Sequence, residues 1–139
     1  MKTSPNVIVS YSGLLPDSAW RSHLANNDTH LLEWMREQLA KAVPGLIEKF
    51  NTLPGRQYFG YKRGGSSDML YIFIQSRKLV VDANVDISRA KLLQHLGFHV
   101  SFRKNFQGRI GWLTGWDIPY YLGWEKRREV LQVMIEAFR

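Results

Sequence analysis

Apolar positions in the first half of the chain recur at helical spacing. Leu31, Met35, Leu39, Ala42/Val43, Leu46/Ile47 and Phe50 fall every three or four residues, as on the buried stripe of an amphipathic helix. Asn27-Asp28-Thr29 supplies capping side chains ahead of it, and Glu33 sits in its first turn or just after. Pro44 lies inside the pattern, where a helix-interior proline costs about 3 kcal/mol. The apolar phase nonetheless continues past it, so the spacing predicts two helical pieces on one surface, the second opened by Pro44. Residues 51–55 end it. Upstream, Pro5, Ser12-Gly13, Pro16-Asp17 and Asn26-Asn27 make residues 1–27 a turn-rich arm. It has room for a short strand at 7–11 and a short helix near 18–24.

The period then changes to strand type. Residues 57–63 are aromatic and end at Gly64-Gly65-Ser66-Ser67. Residues 68–75 are bulky and apolar on both faces, which predicts a central strand. After the turn Ser76-Arg77-Lys78, residues 79–85 place Leu79, Val81, Ala83 and Val85 on one side and Lys78, Asp82 and Asn84 mostly on the other. Connections this short imply an antiparallel meander. Asp86 or Ser88 can cap a short helix at 89–96, ended by Gly97. Strands follow at 98–102 and, more weakly, at 109–114. The last helix spans 125–138, with Leu131, Met134, Ile135 and Phe138 on one face.

This order predicts an α+β domain over residues 1–139, with an antiparallel sheet of about four to five strands. The long N-terminal and C-terminal helices should pack on one face of that sheet. The length of 139 residues suits a single core. The chain has no cysteine, which removes disulfides, thiolate metal sites and cysteine nucleophiles, and fits a reducing cytoplasm. No apolar run reaches membrane-spanning length, and Val7-Ile8-Val9 is too short for the core of a signal peptide.

Charge adds an asymmetry. The formal net charge is +7, but Lys2, Arg21, Arg36, Lys41 and Lys49 balance Asp17, Asp28, Glu33, Glu37 and Glu48 in residues 1–50. The whole excess therefore lies in residues 51–139. A concentrated positive field attracts nucleic acid or another polyanion, although basic surfaces also serve solubility alone. Lys126-Arg127-Arg128 opens the last helix, where free N–H groups and charge together suit an anion. Arg63, Arg103, Lys104 and Arg109 could extend that surface if the fold brings them to it.

Residues 106–124 interleave aromatics with Gly108, Gly111 and Gly115. Trp112, Trp116, Tyr120 and Trp124 could line a small-ligand pocket or stack on bases. Alternatively, they fill a core beneath a long loop. Exposed rings would also serve a homo-oligomeric or other protein contact.

Catalytic and metal signatures are poor. Asp82-Ala83-Asn84-Val85-Asp86 starts like a calcium loop, but Ile87 and Leu93 stand where glycine and glutamate are needed. His95 and His99 lack a third ligand nearby. No phosphate loop, nucleophile elbow or dinucleotide fingerprint is present. The residues therefore point away from an enzyme and imply no cofactor or metal.

The segment 58–138 resembles an uncharacterised bacterial domain family often attached to predicted transport proteins and to restriction-type proteins. The resemblance rests on Tyr58-Phe59-Gly60-Tyr61-Lys62, on Leu70-Tyr71-Ile72-Phe73-Ile74 with Leu79-Val80-Val81-Asp82-Ala83-Asn84-Val85, and on Ile135-Glu136-Ala137-Phe138. It implies an accessory domain associated with nucleic acid and supplies no catalytic residues. The tryptophan- and glycine-rich stretch at 106–124 departs from it.

Overall fold

The computed structural model describes residues 6–85, 87–106 and 109–139, with side chains for all of these except 87, 102–106 and 109–114. Two 3-10 turns, Asp17–Ala19 and Arg21–Leu24, follow the first strand, β1 (Val7–Val9). Then come helix α1 (His30–Ala42) and strands β2 (Leu46–Asn51), β3 (Tyr58–Arg63), β4 (Leu70–Ile74) and β5 (Lys78–Asn84). The chain ends with α2 (Ile87–His95), β6 (Val100–Phe106), β7 (Arg109–Pro119) and α3 (Trp124–Glu136). The strands form one seven-stranded sheet in the order β1-β2-β3-β4-β5-β7-β6, and every neighbouring pair is antiparallel. The α+β class is as the sequence implies, and β4 is the central strand. The Asp86 cap lies outside the described residues.

The strand count rises from four or five to seven because β1 and β2 extend the sheet at one edge. Residues 46–51 form a strand rather than a second helical piece. The residue before a proline is driven out of the α region, and Val43 is extended at φ −120° and ψ 96°. Gly45 then turns the chain at φ +78°, a conformation that glycine adopts without strain. Leu46 and Phe50 are four apart, so they satisfy both a helical stripe and one face of a strand. The strand expected at 109–114 is β7, which runs on to Pro119. Its eleven residues pair with β5 on one side and β6 on the other, so much of the stretch at 106–124 is sheet rather than loop. α2 connects β5 to β6, and β7 fills the place between them, a split β-α-β arrangement.

One set of sheet side chains enters a core shared with the helices. Phe50, Phe59, Tyr61, Ile72, Val81 and Trp116 are wholly buried there, together with Leu31, Leu32, Met35 and Leu39 of α1 and Val130 and Met134 of α3. α1 and α3 touch one another, and α2 touches α3. The register puts Glu48 opposite Tyr61 and Phe50 opposite Phe59, so Glu48 falls among these apolar groups and is wholly buried.

Its charge is met by four hydrogen bonds from three residues. Arg36 of α1 donates from Nε to Glu48 Oε2 at 2.8 Å and from Nη2 to Oε1 at 2.7 Å. The Tyr61 hydroxyl donates to Oε2 at 2.5 Å, and the Leu15 N–H to Oε1 at 2.9 Å. Arg36 also donates to the Leu15 carbonyl at 3.0 Å. Its guanidinium carbon lies 4.6 Å from the Trp20 ring centroid and 4.9 Å from that of Phe59. Burial would lower the Arg36 pKa, but the Glu48 hydrogen bonds and charge outweigh it and raise it. Burial, then the Glu48 charge, pushes the Tyr61 hydroxyl well above its usual range.

A second, exposed network ties the arm to the start of α1. Arg21 bridges Asp17 at 3.0 Å and Glu33 at 2.8 Å, and the Thr29 hydroxyl donates to Glu33 at 2.7 Å.

Removing one partner of a buried ion pair strands the other. Glu48→Ala should therefore lower the unfolding free energy by about 3–5 kcal/mol. Arg36→Met combined with Glu48→Leu should lower it by less, because neither member of the pair is then left as an unpaired buried charge. Urea unfolding of both variants measures the difference. The Glu33 carboxyl is held below its usual pKa by Arg21 first and then by Thr29. Its contribution to stability is thus present above the unfolded value of 4.5 and is lost as pH falls through the depressed folded value. Glu33→Gln should flatten that part of the acid limb in a series of urea midpoints.

Candidate functional site

β7 ends at Pro119, and the chain reverses over the next four residues into α3. The Leu122 N–H donates to the Pro119 carbonyl at 3.1 Å, and Leu122 is turned into the core. Tyr120, half-buried, donates its hydroxyl to the Gln75 carbonyl at the β4–β5 turn; burial raises its pKa. With Leu122 directed inward, its neighbours stay outside. Tyr121 is 88% exposed and Trp124 62%. Together with Pro119, Gly123 and Lys126 they border a groove of about 510 Å³.

Trp124 is exposed but held in place. Its ring meets Trp34 of α1 edge-on, with centroids 5.5 Å apart at 84°. The Arg127 guanidinium carbon lies 4.5 Å from its centroid. Arg127 is itself fixed, donating from Nε to the Leu122 carbonyl at 2.7 Å. Gly123 occupies the N-cap of α3 without a side-chain cap, so the N–H groups of the first turn remain available to a ligand. Lys126 and Arg128 are exposed, with the Lys126 ammonium 5.8 Å from the Phe98 ring centroid. Neither forms an ion pair among the described residues. Glu125 and Glu129 are also exposed there and offset part of the positive charge.

Only part of the set expected from the sequence comes together here. Trp116 is a core residue, wholly buried opposite Val81 and Val100, while Trp124 stands out in solvent on α3. Trp116, Tyr120 and Trp124 therefore do not line one aromatic pocket. Trp116 takes the core alternative of the sequence reading, but from a strand rather than beneath a loop, because alternate residues of β7 face the helices. The Trp112 side chain lies outside the described residues.

The basic residues divide as well. Lys126, Arg127 and Arg128 gather at the start of α3. Arg63 donates from Nη1 to the Phe138 carbonyl at 3.2 Å, about 18 Å away along the α3 axis at 1.5 Å per residue. Arg103, Lys104 and Arg109 fall in β6 and β7, and their side chains lie outside the described residues. Trp34 and Tyr121 were not singled out from the sequence. The available signal was an aromatic standing just off the buried stripe of α1, beside Met35.

Among the described residues there is no group of three or more His, Asp or Glu side chains placed to hold a metal ion, and no helix long and apolar enough to cross a membrane. No protein-family model, curated protein or solved structure matches this chain.

Proposed function

We propose that this chain is a non-catalytic binding domain for single-stranded nucleic acid, engaging it at the corner where β7 turns into α3. The observation that carries the reading is a fixed tryptophan left 62% exposed beside three consecutive cations. Single-stranded nucleic acid needs both features at once: a ring face for a base and positive charge for the adjacent phosphates. Trp124 supplies the face. Trp34 and Arg127 hold it, so little side-chain freedom remains to be lost on binding. Tyr121 supplies a second ring across the groove, and Lys126, Arg128 and the first N–H groups of α3 supply the charge. A duplex offers no free base face to Trp124 and binds only through charge. The resemblance over residues 58–138, with its association with nucleic acid, is part of the same proposal.

Fluorescence anisotropy with labelled single-stranded oligonucleotides of mixed sequence, repeated at two salt concentrations, tests the reading. Binding should weaken as salt rises. Trp124→Ala should cost about 1–3 kcal/mol of binding at either salt, the range for one base stacked on an aromatic ring. Lys126→Gln should instead reduce the salt dependence by about 0.7 of a counterion. No binding at low salt, or Trp124→Ala binding as tightly as the parent, would overturn it.

A further inference from the structure

The sheet face turned away from the helices carries a second pocket, and we propose that it binds a small organic anion with an apolar body. It is remote in the fold from the α3 corner and does not depend on the nucleic-acid reading. β1 and β2 contribute its apolar side. Val9 pairs with Lys49 and Ile47 with Lys62 across adjacent strands, which places Val7, Val9, Ile47, Lys49 and Lys62 together on this face. The β3–β4 connection makes the opposite wall. Gly64 turns at φ +56°, and Ser66 closes the turn by donating its N–H to the Arg63 carbonyl at 3.1 Å while its hydroxyl accepts the Arg63 N–H at 3.1 Å. The space enclosed by these residues with Ser67 and Asp68 is about 370 Å³, within the range of small-ligand pockets.

The charges in the pocket are arranged unequally. Lys49 is committed to Asp68, with its ammonium 2.5 Å from Oδ2, and the Tyr71 hydroxyl donates to the same oxygen at 2.7 Å. To reach Asp68 the Lys49 stem lies across β3 at Gly60. A methyl group on Gly60 would stand 2.8 Å from Lys49 Cε and 3.1 Å from Tyr71 Cε1. Glycine inside a strand weakens it, and here it marks the close approach of a side chain. Asp68 is thereby neutralised, and this end of the pocket does not repel an anion. Lys62 has no acidic partner among the described residues. It is half-buried across from Ile47, and Ser67, with its hydroxyl, lines the same pocket. A carboxylate or phosphate offsets the Lys62 charge and accepts from that hydroxyl, while a short alkyl or aryl body covers Ile47 and Val9, the latter 49% exposed. An inorganic anion leaves the apolar wall wet, and a neutral apolar molecule leaves Lys62 half-desolvated and unpaired.

The test is an amide-resolved NMR titration of the full chain with octanoate, octyl phosphate, inorganic phosphate and 1-octanol. Either amphiphilic anion should shift the Val9, Ile47, Lys62 and Ser67 amides at concentrations where phosphate and octanol do not, and the tighter of the two identifies the head group. Lys62→Gln should weaken that binding about tenfold, as for a lost charge-assisted hydrogen bond. Lys126→Gln, at the nucleic-acid corner, should leave it unchanged. The proposal is overturned if octanol binds as well as octanoate, if neither anion shifts those amides at millimolar concentration, or if Lys62→Gln has no effect in a variant whose spectrum is otherwise native.

Discussion

Burying the Glu48 carboxylate among Leu46, Phe50 and Phe59 carries a desolvation penalty of several kcal/mol for each ion of the pair, and the N-terminal half of the chain is arranged to offset it. Both carboxylate oxygens are used: Oε1 accepts from Arg36 and the Leu15 N–H, and Oε2 from Arg36 and Tyr61. Each partner comes from a different piece of structure. Arg36 brings α1, Tyr61 brings β3, and Leu15 brings the arm. The fork geometry of the guanidinium tolerates little displacement. A purely apolar contact would let α1 slide over the sheet, whereas this network gives it one position. Trp20 and Phe59, one on each contact with the guanidinium, close the site to water.

That fixed position carries through to the proposed binding corner. Trp34 lies two residues before Arg36 on α1, and its ring is the surface against which Trp124 rests. Trp124 in turn stacks with Arg127, which is pinned by the Leu122 carbonyl. The exposed ring of α3 is thus oriented through α1 by an ion pair inside the core. The cations next to it need no such support, since they act through a field that tolerates several ångströms of freedom. A held ring with mobile charges beside it is what a ligand of variable base sequence and constant backbone calls for.

The meander was legible because β3, β4 and β5 alternate cleanly or are apolar throughout, with short turns between them. The stretch at 46–51 was not, because Leu46 and Phe50 fit two periods at once. The residue that decides between them, Glu48, is a charge that no hydrophobic pattern assigns to a core; only its partner Arg36, twelve residues away and in another element, makes it admissible. The start of β7 was legible at 109–114, but its continuation to Pro119 was obscured by glycines and aromatics that resemble a loop until β5 and β6 are known to flank it. Trp116 consequently passed for a candidate ligand residue. The basic character of the second half was visible, but its distribution was not: Arg63 and Lys126 lie toward opposite ends of α3, a separation fixed by tertiary structure alone.

The most direct measurement is photo-crosslinking of a single-stranded oligonucleotide carrying 5-iodouracil, followed by mass-spectrometric location of the adduct. Iodouracil reacts with aromatic side chains on which it stacks, so it reports which ring receives a base. The binding corner described above predicts adducts at Trp124 or Tyr121, competed by unlabelled single strands. Adducts confined to other rings, such as Tyr58 and Phe73, which face each other across β3 and β4, with Trp124 and Tyr121 unmodified, would contradict it.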